Sequence, residues 1–173
     1  MRIFWGIIVF LAPTLLFAQN SAATNGCGPN NVQFSVKISK EYAPTQPEKG
    51  KALVFVFATE EHDERQIRIG HAITRVGVDG TWVGANQDST YFAFSLDPGR
   101  HHICTNWQSS IGFLHKMAGA ITFDAEAGKT YYFETKIDER TDRPQEIRLE
   151  HLDPDDGESL ISNSTYITSQ AKR

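Results

Sequence analysis

Cysteine is scarce: the 173 residues hold only two, Cys27 and Cys104. That excludes a disulfide-dense scaffold and leaves one possible intramolecular pairing. Positive charge is also in short supply. Lys and Arg number 17 against 21 Asp and Glu, for a net charge of −4. With no basic run, the chain lacks the clustered cations that non-specific nucleic-acid binding requires. The apolar stretch Ile3 to Phe17 is interrupted by Pro13 and stops at about 15 residues, short of the roughly 20 that cross a bilayer. Catalytic signatures are missing as well: there is no Gly-x-Ser-x-Gly elbow, His-Glu-x-x-His, phosphate loop or dinucleotide fingerprint. No internal repeat or heptad pattern is present. These absences set the expectation of a protein that is not an enzyme and uses no cofactor.

What is present begins at the N-terminus. Met1-Arg2 is a short basic start, Ile3 to Phe17 an apolar run, and Ala18 a small residue before the polar Gln19-Asn20. That is the layout of a secretory signal peptide, here residues 1–18. It places the mature chain outside the cytoplasm, secreted or periplasmic, with no stable transmembrane segment after cleavage. In an oxidising compartment Cys27 and Cys104 should pair. The bond would close a loop of about 77 residues, worth roughly 4 kcal/mol on chain-entropy grounds.

Hydrophobic residues make up 40% of the chain, including 11 Phe, 5 Tyr and 3 Trp, enough for a packed core. Residues 19–31, rich in Asn, Gly, Ala and Ser, read as a flexible lead-in. Val32 to Ile38 alternates with period two, as a half-buried strand does. Ala52 to Ala58 is apolar at every position, which predicts a central strand covered on both faces. Thr59 to Gly70 is highly charged and reads as an exposed loop. From Thr74 to Cys104 short apolar runs are punctuated by Asp79-Gly80 and Asp97-Pro98-Gly99. The first is a two-residue hairpin signal needing positive φ; the second fixes one φ and frees the next. Further strands follow at Met117–Glu126, Thr130–Ile137 and Glu146–Leu152. Asp153-Pro154 then predicts an N-cap and first helical residue for a short helix through Ile161. Residues 163–173 read as a polar, frayed tail. Together these elements describe one mainly β domain over residues 32–162, an antiparallel β-sandwich of about seven to nine strands with one short C-terminal helix.

Several of these segments carry a likeness. Lys51 to Val56, Arg75-Val76-Gly77-Val78-Asp79-Gly80, Leu96 to His101 and Ala127 to Phe133 resemble the DUF2846-type exported bacterial domains of unknown function. The series Val-x-Val-Asp-Gly followed by Pro-Gly-x-His is also similar to surface-exposed sandwich modules of the PEGA type. The resemblance spans roughly Lys51 to Ile137. It implies an exported sandwich and brings no reaction and no catalytic residues with it.

Histidines offer the main chemical alternative. His101, His102 and Cys104 cluster, and His62, His71 and His115 fall in nearby segments; imidazole and thiolate at short spacing bind Zn²⁺ or copper. In a strand, however, His101 and His102 point to opposite faces, and Cys104 is expected in the disulfide. Packing and surface roles are the expectation for these histidines. Trp82, Trp107 and Tyr91, with Tyr131 and Tyr132, are candidates for an aromatic binding face, the competing role being cross-strand packing. The sequence therefore points to an exported, non-catalytic, envelope-associated interaction or accessory module whose partner is a protein, peptide or glycan. Its rival is a periplasmic Zn- or Cu-binding or hydrolytic protein using His101, His102 and His62.

Overall fold

The computed structural model describes residues 27–61, 73–108, 117–138 and 146–172. Segment 1–18, expected as a signal peptide, and His62, His71 and His115 lie outside the described residues. Among the described residues there are ten strands and one helix: β1 (Phe34–Ile38), β2 (Ala52–Glu61), β3 (Ile73–Val78), β4 (Thr81–Gln87), β5 (Thr90–Leu96), β6 (Gly99–Trp107), β7 (Ala118–Ala125), β8 (Thr130–Asp138), β9 (Glu146–Leu152), α1 (Pro154–Asn163) and β10 (Thr165–Ala171). They form two sheets, one of six strands ordered β1-β10-β5-β2-β8-β9 and one of four ordered β4-β3-β6-β7. The expected sandwich with one short C-terminal helix is the architecture found.

Three expectations need correction. The sandwich is mixed rather than purely antiparallel, because β2 pairs with β8 and β10 with β5 in parallel. Parallel neighbours require long crossovers. Here the whole four-stranded sheet lies between β2 and β8, and β6 to β9 with α1 lie between β5 and β10. Secondly, the tail is not frayed: β10 pairs with β1 from Ile167↔Ile38 to Ala171↔Phe34. Its Ile167 is 1% exposed and its Tyr166 packs on the Tyr91 ring, so two residues among Thr, Ser and Gln anchor the strand, one on each face. Thirdly, β2 runs on to Glu61, into the segment expected as a loop.

The central-strand expectation holds. Every residue from Ala52 to Ala58 is at most 3% exposed. Ala52, Val54 and Val56 face the other sheet and join Val76, Phe92, Ile103, Phe133 and Ile167 in the inter-sheet core. Leu53, Phe55 and Phe57 face the other way, with Tyr91 and Tyr132, and are covered by Leu160 and Ile161 of α1. The helix begins as its sequence dictates, with Asp153 at the N-cap accepting from the Asp156 backbone N–H at 3.0 Å. Gly157 is buried because a Cβ there would enter the Tyr132 ring.

The turns behave as their residues predict. Asp79 (φ 51°) and Gly80 (φ 81°) make a two-residue hairpin closed by the Val78↔Thr81 pair. A register shift then falls between Val76 and Gly77, which face Gly84 and Trp82. This bulge at Val83 turns Gly84 inward beneath the Phe92 ring and Trp82 outward toward Pro29. The sheets also meet at their margins: Gly119 of β7 leaves room for the Leu149 backbone of β9, and the Ala85 N–H of β4 donates to Ser169 Oγ of β10 at 3.0 Å.

Candidate functional site

Three constellations stand out, and the first is the sequence's histidine cluster. The hairpin turn places Asp79 beside the start of β6. His101 Nδ1 donates to Asp79 Oδ2 at 2.7 Å, and its Nε2 donates to the Asp97 carbonyl at 2.8 Å. The other Asp79 oxygen accepts from the His102 backbone N–H at 2.9 Å. With a carboxylate on one ring nitrogen and a carbonyl on the other, the doubly protonated imidazolium satisfies both. Burial alone would lower the His101 pKa, but the Asp79 and Asp97 contacts raise it above the ordinary value. Burial would conversely raise the Asp79 pKa, while the His102 N–H and the His101 ring hold it below the usual carboxylate range. Both ring nitrogens being engaged, His101 ties two turns together and has neither a free lone pair for a metal nor a free base for proton abstraction. The His102 ring contacts a neighbouring strand instead, with its Nδ1 3.5 Å from Thr122 Oγ1. Among the described residues no group of three or more His, Cys, Asp or Glu is arranged to hold a metal ion.

The second constellation lies on the outer face of the four-stranded sheet, where the expected flexible lead-in is instead fixed from Cys27 onward. Cys27 and Cys104 are disulfide-bonded, and no described cysteine is free. The strap formed by residues 27–32 crosses β3 where Gly77 leaves room for the Cys27 carbonyl. Arg75, 4% exposed, donates through Nη1 to the Val32 carbonyl at 2.6 Å and through Nε to Asn106 Oδ1 at 2.9 Å. Its guanidinium lies 4.5 Å from the Trp82 ring centroid, and Trp82 Nε1 donates to the Pro29 carbonyl at 2.9 Å. Burial lowers the Arg75 pKa, and no carboxylate among the described residues pairs with it.

The structure does not gather Trp82, Trp107 and Tyr91 into one aromatic face. Trp82 belongs to the strap. Trp107 packs beside Ile137 and Ile147. Tyr91 is 5% exposed, its ring against Phe57 and Tyr166 beneath α1.

The third constellation holds two of the sequence's candidate aromatics, Tyr131 and Tyr132, around a histidine, His151, that the sequence did not single out. An open cavity of about 450 Å³ lies where the ends of β8 and β9 meet α1, lined by Thr130, Tyr131, Tyr132, His151, Leu152, Asp153 and Pro154. The register places His151 opposite Phe133. Its ring stacks on Phe133 at 4.9 Å between centroids and lies 6.0 Å from Tyr131. Burial against these rings lowers the His151 pKa, so the imidazole is neutral near pH 7, with one N–H donor and one acceptor. Yet the residue as a whole is exposed, and no described residue hydrogen-bonds its ring. Tyr131, by contrast, is fixed: its hydroxyl donates to the Asp124 carbonyl and accepts from the Glu126 N–H. The sequence signal for His151 was its place in β9, where period two puts it on the same face as Ile147 and Leu149.

No family model, no curated protein and no solved structure matches this chain.

Proposed function

We propose that the chain is an exported, non-catalytic interaction module of the cell envelope, and that it contacts its ligand at the His151 cavity. The observation that carries this reading is an exposed imidazole, stacked on Phe133, without a hydrogen-bond partner among the described residues. It faces a cavity with apolar walls from Leu152 and Pro154 and one carboxylate, Asp153. Specific small-ligand sites have this form: apolar walls with a few polar groups that fix orientation. The engaged nitrogens of His101 favour binding over the hydrolytic alternative, since the one His–Asp pair described holds turns together. The disulfide suits an extracytoplasmic setting. Among the described residues no helix is long and apolar enough to cross a membrane.

The test is a panel of envelope glycans, peptides and candidate proteins screened by amide chemical-shift perturbation. Shifts confined to Thr130–Tyr132 and His151–Asp153, lost in His151→Ala without loss of fold, support the reading. Binding mapped elsewhere, or turnover of a panel compound, overturns it. Intact-mass measurement on protein from its native host tests export, with a mature chain starting near Gln19 as the expected result.

A further inference from the structure

We infer that Arg75 and Trp82 form a cradle that positions the N-terminal strap so that Cys27 meets Cys104, making the disulfide a product of the folded sheet. The cradle's donors are matched to chain carbonyls. Arg75 Nη1 reaches the Val32 carbonyl, with the Asn30 carbonyl at 3.5 Å, and Trp82 Nε1 reaches the Pro29 carbonyl. Asn106 fixes the guanidinium from the side through its Nε, and the Trp82 ring supports its face. Gly77 and Gly28 permit the close approach: a Cβ at the first would enter the Cys27 carbonyl, and at the second would lie 2.6 Å from the Trp82 ring.

The hydrogen bonds from the cradle to the strap are non-covalent and act on carbonyls of residues 29, 30 and 32. They are therefore available before the sulfurs are joined. A buried guanidinium without a carboxylate partner is costly unless its donors are satisfied, so the folded body itself favours a docked strap. Further along, Gln108 holds both polar groups of Phe34, accepting from its N–H at 2.6 Å and donating to its carbonyl at 3.0 Å. The docked strap sets Cys27 and Cys104 at a Cα–Cα distance of 5.5 Å across a sequence separation of 77. In an unfolded chain a loop of that length brings its ends together only rarely.

With glutathione disulfide as oxidant, one cysteine thiolate attacks a glutathione sulfur and expels one glutathione thiolate. The second cysteine's thiolate then attacks the protein sulfur of the mixed disulfide and expels the second. One disulfide breaks, one forms, and two glutathione thiols result. The cradle acts on the second, intramolecular step by raising the effective concentration of one thiol at the other.

The experiment equilibrates the full chain in glutathione redox buffers, traps thiols with acid and measures the effective concentration of the pair by mass spectrometry. Arg75→Met should lower it about tenfold or more, because hydrogen bonds from a charged group are lost. Trp82→Phe, which removes one neutral donor and keeps a ring, should lower it about threefold. Phe57→Leu, beneath α1 and remote from the strap, should leave it unchanged wherever circular dichroism shows the fold intact. The inference is overturned if the cradle variants keep the parent value while folded. It is equally overturned if Phe57→Leu lowers the value as much, since global stability would then govern the bond. Should Arg75→Met fail to fold, Trp82→Phe alone decides between these outcomes.

Discussion

The two outer faces of the sandwich are covered in opposite ways. Beneath α1, the six-stranded sheet presents Leu53, Phe55, Phe57, Tyr91 and Tyr132, and the helix returns Leu160 and Ile161. Burial of apolar area does the holding, and it has little directional demand. Beneath the strap, the four-stranded sheet presents Arg75, Trp82, Asn106 and Cys104, held by hydrogen bonds, a ring contact and a covalent bond. There each group has a required direction. The first cover should therefore degrade in proportion to the volume removed, while the second should fail through coupling between its few contacts.

The largest effect belongs to the apolar cover. Phe57 is fully buried and touches the Tyr91 ring, so Phe57→Ala should cost about 3–5 kcal/mol in urea unfolding. A loss under about 1 kcal/mol would mean that α1 collapses onto the gap and that the apolar cover is softer than its full burial implies.

Next comes the strap. Replacing both cysteines by serine should cost about 2–4 kcal/mol. The sharper measurement combines this change with Arg75→Met. Contacting groups are non-additive by about 0.5–3 kcal/mol, whereas distant sites add. Coupling is expected between the cysteine pair and Arg75, and none between the cysteine pair and Phe57. Equal coupling in both cycles would erase the contrast between the two faces.

The same contrast explains what was legible in the sequence. Ala52 to Ala58 announced its two-sided burial because an unbroken apolar run has few other uses in a sandwich. Asp153-Pro154 announced α1, and Asp79-Gly80 its hairpin, because both depend on local backbone chemistry. The strap gave no such signal: Asn30, Asn31 and Pro29 read as a loop, and their order comes from donors on β3 and β4 that lie more than 40 residues away. His151 was hidden for a related reason, since only the β8–β9 register brings Phe133 and Tyr131 against it. β10 was missed because one buried Ile167 among hydroxyl residues is too weak a pattern to outvote a polar composition.

Smaller is the effect at the hairpin that aims Trp82 toward the strap. Gly80 has φ 81°, and nothing lies within 4 Å of where a Cβ would be. Gly80→Val should thus cost about 1–3 kcal/mol through backbone strain alone. Gly80→Asn, which tolerates positive φ, should recover most of the loss. If Asn is as damaging as Val, a steric contact governs the position.

Smallest, and most diagnostic, is the dependence on pH, because two histidines should pull in opposite directions. The His101 pKa is raised by its Asp79 and Asp97 contacts against the opposing effect of burial. Its contribution is therefore fully present below the unfolded value of about 6.5 and is lost as pH rises through the folded pKa. Asp79, held low, contributes above about 3.9 and loses that contribution as pH falls through its own folded pKa. The His151 pKa is lowered by burial, so the unfolded chain takes up its proton first. Stability should accordingly fall as pH drops below about 6.5 toward the folded value. Urea unfolding between pH 5 and 9 separates the two. His101→Gln should flatten the alkaline slope and leave the acid one, and His151→Gln should do the reverse. If neither slope responds, the imidazoles titrate alike in the folded and unfolded chain. His151 would then be as hydrated as a free histidine, and the cavity would lose the burial against Phe133 and Tyr131 that sets this imidazole apart.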